Sequence, residues 1–232
     1  MSSVAQSEKG SFKTRKTALL AVVYVAIVLG LDTLAAQRVQ FPVEWRVLLT
    51  FCPGGFDVFK FLTWFVIPFL LALPHLDKDA FTFKRWQKKD AYILIGLVLA
   101  GALAVILIPL LPGVRESYGG YGHLNAAQKQ DILFWHLSWT VSWLVGWEFL
   151  HRYFLLRPWD AWLPRTGWLI VPLSEGLYHL QKAPLEALGM VALSIVLTLW
   201  ARRRQNVLLP FLVHLAIELE LILFLLRTAP GR

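Results

Sequence analysis

The sequence predicts an all-α, polytopic membrane helix bundle of about seven transmembrane helices, within bounds of six to eight. Three observations carry that expectation. The 232-residue chain is 57% hydrophobic and only 16% charged, with 11 tryptophans. Its apolar residues run in long stretches near the roughly 20 residues that cross a bilayer core, without the amphipathic or alternating patterns of a soluble domain. Its 23 Lys and Arg fall in short clusters between those stretches, as in loops that face anionic lipid. A net charge of +8 divided in this way excludes a nucleic-acid surface and leaves the lipid bilayer as the expected contact. A single cysteine, Cys52, excludes an intrachain disulfide and a Cys-rich metal site.

The expected spans are about 17 to 36, 58 to 74, 90 to 112, 131 to 156, 165 to 182, 184 to 201 and 206 to 226. The second contains Pro68 and the fifth Pro172, tolerated where neighbouring helices satisfy the freed carbonyls. With the N-terminus inside, the inner segments collect Lys9, Lys13, Arg15 and Lys16; Lys78, Lys84, Arg85, Lys88 and Lys89; Arg152, Arg157 and Arg165; and Arg202, Arg203 and Arg204. That is fifteen of the 23, so the positive-inside rule places the N-terminus in the cytoplasm, with residues 1–16 as a basic tail and the C-terminus outside. Cleavage near Leu34-Ala35-Ala36 is the rival reading of the first run, but its length and Asp32 favour an uncleaved helix. The segment 113 to 130, with Gly119, Gly120 and Gly122, is the longest irregular stretch and is expected to cap the outer side.

Ionisable residues inside such spans are expensive and mark function by default. The stretch GWEFLHRYF carries Glu148, His151 and Arg152; Glu175 and His179 stand four apart in the fifth span, and His214 and Glu218 four apart in the seventh. Residues at i and i+4 share a helix face, so three helices each present a polar pair, and the least costly arrangement turns all three into one wet cavity. Carboxylates with two histidines suit hydrolysis: a desolvated carboxylate takes a proton from water, and a histidine orients that water or stabilises an oxyanion. Two His and one Glu, here Glu148, His179 and His214, are equally the ligand set of a catalytic divalent metal such as zinc. An isolated Glu/Arg pair near a helix end is commonly an ion pair that fixes packing, and a lone His in a bundle is commonly structural; three pairs together weigh against both. His75, His123, His136 and His151 show no partner pattern and read as structural or solvated, with His136 too far along the chain from Glu148 for the same cluster. Trp135, Trp139, Trp143 and Trp147 read as a packing stripe. Asp32 has no evident partner.

At these residues the sequence resembles the CPBP family, the CAAX-protease and bacteriocin-processing intramembrane proteases, whose members carry E-E-x-x-x-R, F-x-x-x-H and H-x-x-x-N or H-x-x-x-D on separate helices. The first motif aligns with Trp147, Glu148 and Arg152, the second with Glu175 and His179, and the third with His214 and Glu218, over about residues 130 to 225. The apolar spans make residues 17–128 amino-terminal membrane helices, which match the family only as generic spans; the resemblance implies 129–227 as a catalytic helix core, and the expected setting is a prokaryotic inner membrane. The reaction it implies is hydrolysis of a peptide bond in a membrane-associated protein or peptide. The family's first Glu is Trp147 here, its second-motif Phe is Glu175, and its third-motif Asn or Asp is Glu218. Two readings follow. In one, Glu148 or Glu175 is the base, His179 orients water, His214 stabilises the tetrahedral intermediate and Arg152 is an orienting partner. In the other, loss of the first Glu marks a non-catalytic binder of hydrophobic segments. A small transporter would show internal repeats, which are absent, and no residue pattern asks for an acyl- or prenyl-transferase.

Overall fold

The computed structural model describes residues 2–36, 49–111, 114 and 118–228. Arg38, Arg46 and Arg115 of the expected outer loops, and part of the segment 113 to 130, lie outside them.

Among the described residues the fold is seven helices with no strand. They are α1 (Ser2–Ala36), α2 (Val58–His75), α3 (Lys88–Leu110), α4 (Ala126–Trp162), α5 (Gly167–His179), α6 (Pro184–Arg204) and α7 (Leu208–Leu225). Five of them, α1 from Thr14, α2, α3, α6 and α7, are long and apolar enough to cross a membrane, matching five of the expected spans to within a few residues. Their outward faces carry Leu99, Leu103 and Ile106 on α3 and Leu185 and Leu188 on α6, all exposed to what a bilayer would cover.

The other two expected spans take different forms. The run 131 to 156 is the middle of α4, which joins an α-helix Ala126–Phe149, a π segment Leu150–Leu155 and an α-helix Leu156–Trp162. It is too polar to count as a span by composition, and its neighbours enclose it: residues 146–153 are all buried. The run 165 to 182 is corrected to a three-residue 3-10 turn plus the 10-residue helix Ile170–His179. At 1.5 to 2 Å per residue that is about 20 Å, short of a hydrocarbon core of about 30 Å. Gly167 and Pro172 fit this shortness: Gly167 sits so close to the Trp159 carbonyl that any Cβ would overlap it, and a proline early in a helix forfeits little hydrogen bonding.

Gly146 lets α4 and α2 approach closely, because a Cβ there would meet the Trp64 Cβ at 2.8 Å. The core this creates holds Trp64, Leu144, Trp147, Leu150, Leu197 and Leu209. At one end of the bundle the basic segments converge. Arg85 and Arg157 both donate to the Gln205 carbonyl and both pair with Asp77. Arg202 pairs with Asp160 at 2.7 Å, and Arg204 with Asp90 at 3.0 Å. The first turns of the membrane-spanning part of α1 lie there too, since Trp159 Nε1 donates to the Ala18 carbonyl. These cations meet the C-terminus of α6, where the helix dipole favours them.

Candidate active site

The π segment begins two residues after Glu148, so α4 widens where it is most enclosed. Glu148, His151 and Arg152 all turn into the bundle, at 2%, 0% and 3% exposure. Arg152 organises the cluster. Its Nη1 donates to Glu148 Oε2 at 2.7 Å and to Glu175 Oε1 at 2.9 Å, and its Nη2 to Glu175 Oε2 at 3.2 Å. The guanidinium fork therefore clamps two carboxylates from two helices, the geometry at which Arg excels. The other oxygen of Glu148 accepts from His214 Nδ1 on α7 at 2.9 Å. Since an ionised carboxylate only accepts, this bond assigns the ring proton to Nδ1 and leaves the lone pair on Nε2.

Three helices thus meet as the spacing predicts, through Glu148 and Arg152, Glu175, and His214. The shortness of α5 makes this meeting geometrically direct: a full span over 165 to 182 would carry Glu175 and His179 to a different depth. His179 does not bond to the carboxylates. It is 7% exposed, its Nδ1 has no partner within the protein, and its ring stands 5.8 Å from that of Trp147. His179 and His214 line one cavity of about 570 Å³, together with Trp143, Trp147, Ala104 and Leu193. The walls of this cavity are chiefly apolar side chains of α3 and α6.

Glu218 lines the same cavity but stays apart from the Arg152 cluster and faces His136, 3.5 Å away. His136, read from sequence as solitary, is therefore a partner of one candidate residue. His151 also belongs to the buried network. Its Nδ1 bonds to the Trp147 carbonyl at 3.0 Å and lies 3.8 Å from Glu175, and its Nε2 bonds to Ser174 at 3.3 Å. The only sequence signal for it was its place beside Arg152. Asp32 gains partners in Tyr178, which donates to it at 2.5 Å, and Lys60 at 3.4 Å. Tyr178 packs on Trp147 and Trp64, so Asp32 secures the ring that backs the cavity.

Among the described residues no group of three or more His, Cys, Asp and Glu side chains stands in an arrangement that could hold a metal ion. Both Glu148 oxygens are taken, one by Arg152 and one by His214, and the guanidinium occupies the position between carboxylates that a cation would need. The donors of Glu148, His179 and His214 do not fit a metal.

Residues 129–219 match the family model described as type II CAAX prenyl endopeptidase Rce1-like. No curated protein and no solved structure matches the chain. The matched stretch takes in every member of the Arg152 cluster, so these polar helices lie within the part of the chain, residues 129–219, that is similar to the Rce1-like family.

Proposed function

We propose that the protein is an intramembrane peptidase that hydrolyses a peptide bond in a membrane-associated protein or peptide, using His214 as base. The observation that carries this reading is the Glu148–His214 hydrogen bond at 2.9 Å, formed at the wall of a large apolar cavity that also holds His179. Neither carboxylate is free to act alone, because Arg152 holds both Glu148 and Glu175. Glu148 is a positioning residue. It fixes the His214 tautomer and stabilises the imidazolium that forms when Nε2 takes a proton from water, the logic of a carboxylate-histidine dyad. The cluster suits that change of charge, since two carboxylates and one guanidinium leave one negative charge for His214 to balance.

The water oxygen then bonds to the carbonyl carbon, and the carbonyl electron pair moves to its oxygen. His179 donates a hydrogen bond to that oxyanion. Collapse re-forms the carbonyl and breaks the C–N bond, and the leaving nitrogen takes the proton from His214. Glu175 serves as the second carboxylate of the Arg152 clamp, and Glu218 acts on the cavity wall with His136. The apolar lining suits a hydrophobic segment or a lipidated terminus. Activity requires no metal, and water activation rests on the protein's own side chains.

One observation favours a second reading. Trp147 stands where the family carries its first Glu and presents an indole to the cavity beside His179. A non-catalytic binder of hydrophobic segments would have this wall without a base. Cleavage of membrane-tethered reporter peptides by wild type and by His214→Ala decides between them. Product that requires His214 supports the peptidase, and the absence of product with a folded, peptide-binding wild type establishes the binder.

A further inference from the structure

A second pocket, of about 270 Å³, lies at the basic end of the bundle, between the last turns of α4 and the C-terminus of α6. Its lining includes Arg152, Leu156, Arg157, Asp160, Ala201 and Gln205. It reaches the buried cluster from behind. Arg152 spends Nη1 and Nη2 on the two glutamates, while its Nε, on a side chain 1% exposed, has no partner within the protein. A buried donor on a charged group left without a partner costs upward of about 1–3 kcal/mol.

The chemistry of the lining selects the occupant. Asp160, the carbonyl end of α6, Arg152 and Arg157 all stand in the lining and are each already paired within the protein, so the pocket favours neither an anion nor a cation. Water meets both signs: with Arg152 and Asp160 both in the lining, it can accept from the one and donate to the other. At roughly 30 Å³ per molecule the pocket has room for several waters, and it offers the two to four polar partners that each one needs. The large cavity on the other side of the cluster is lined mostly by apolar groups and, under the peptidase reading, is filled by the substrate during turnover.

We propose that the pocket behind Arg152 is a hydrated inlet that connects the buried Glu148–Arg152–Glu175 cluster to the basic end of the bundle and supplies the water that hydrolysis consumes. Hydration of the pocket is independent of the proposed activity, whereas the supply role rests on it.

Thiol labelling in nanodiscs, where both faces are open, tests the hydration. In a Cys52→Ser background, Ala201→Cys and Leu156→Cys, on opposite walls of the pocket, are exposed to a charged thiol reagent. Leu197→Cys, one turn back on α6, is the reference: all three side chains belong to one buried cluster at 1–3% exposure, but Leu197 does not line the pocket. Because a dry site reacts only when the structure opens, both pocket positions should label roughly tenfold faster than the reference, or more. Equal, slow labelling at all three would overturn the inlet, and using both walls protects the test against one variant failing to fold. Ala201→Leu, which fills the pocket, should lower kcat with KM unchanged. Labelling at the pocket positions with wild-type kcat in Ala201→Leu would overturn the supply role. Labelling by a protein that hydrolyses no tethered peptide would leave the inlet standing and remove the peptidase reading.

Discussion

Replacing Arg152 by Met should be among the most damaging single changes to this fold. The side chain is 3% exposed and makes hydrogen bonds of 2.7, 2.9 and 3.2 Å to two glutamates that are themselves 2% and 1% exposed. Methionine fills much of the space but leaves two carboxylates facing each other without a cation. Removing one partner of a buried ion pair costs about 3–5 kcal/mol, because the remaining charge is uncompensated. For a chain of this size, about 2–4 °C of Tm accompanies each kcal/mol, so thermal unfolding in detergent should fall by about 6–20 °C. The companion variant Arg152→Met/Glu148→Gln/Glu175→Gln removes the stranded charges and should recover most of the loss. Arg152→Lys should fall between, since an ammonium cannot reproduce the fork. If Arg152→Met unfolds within about 1 kcal/mol of wild type, or the triple variant is no better than the single, the clamp does not hold these helices together and the charge reasoning fails.

Glu148→Gln should lower kcat by about 10²–10⁴ with little change in KM, because it disturbs the His214 tautomer but touches no part of the cavity; steady-state cleavage of a tethered reporter measures it. A chelator that strips zinc should leave cleavage unchanged, and loss restored by added metal would reinstate a metal site at Glu148, His179 and His214. Gly146→Ala should destabilise by about 1–3 kcal/mol through overpacking, since its Cβ would stand 2.8 Å from the Trp64 Cβ and 3.0 Å from the Trp64 backbone; chemical denaturation checks it. Burial raises the Asp77 carboxyl pKa, but hydrogen bonds from Arg85 and Arg157 outweigh it and hold the group below its ordinary value. A depressed folded pKa contributes stability above the unfolded value of about 3.9 that is lost as pH falls through the lower folded value. Asp77→Asn should therefore be less stable than wild type at pH 7, with the gap closing below about pH 4 in paired melts.

What was legible in the sequence follows from which interactions are local. Glu148 and Arg152 are one turn apart on one helix, and they do bond. The other two pairs have the same spacing and do not. Glu175 turns to Arg152 on another helix while His179 turns to the cavity, and His214 turns to Glu148 while Glu218 turns to His136. Spacing established which residues share a face, but not which partner each would choose across helices. His136 illustrates the difference: it is three turns from Glu148 along α4, yet α7 brings Glu218 beside it. Length was misread for α5 for a related reason. The expected bounds run from Arg165 to Lys182, but the structure opens this element only at Gly167 and ends its helix at His179, so the backbone reverses before a full span is reached. The π segment after Glu148 left no mark in the apolar pattern, because every residue from 146 to 153 is buried and no face alternates.

Trp147 connects these threads. A carboxylate at that position would add a third negative group beside Glu148 and Glu175, and Arg152 is already shared between two. Its indole instead packs on Trp64 and Tyr178 and against the His151 ring at 4.2 Å, closing the core around the clamp. The cluster then carries a single uncompensated negative charge, next to His214. With Trp147 where the similar family carries an acid, the Glu148–His214 hydrogen bond at the cavity wall is the carboxylate-histidine pair on which the proposed peptidase would run. Trp147→Glu separates the two consequences. If the peptidase runs on His214, a third carboxylate beside Arg152 should compete for the guanidinium, loosen Glu148 and lower cleavage along with stability. A gain in cleavage at undiminished stability would show instead that the fold had room for the missing acid, and that Trp147 had silenced a site built to use it.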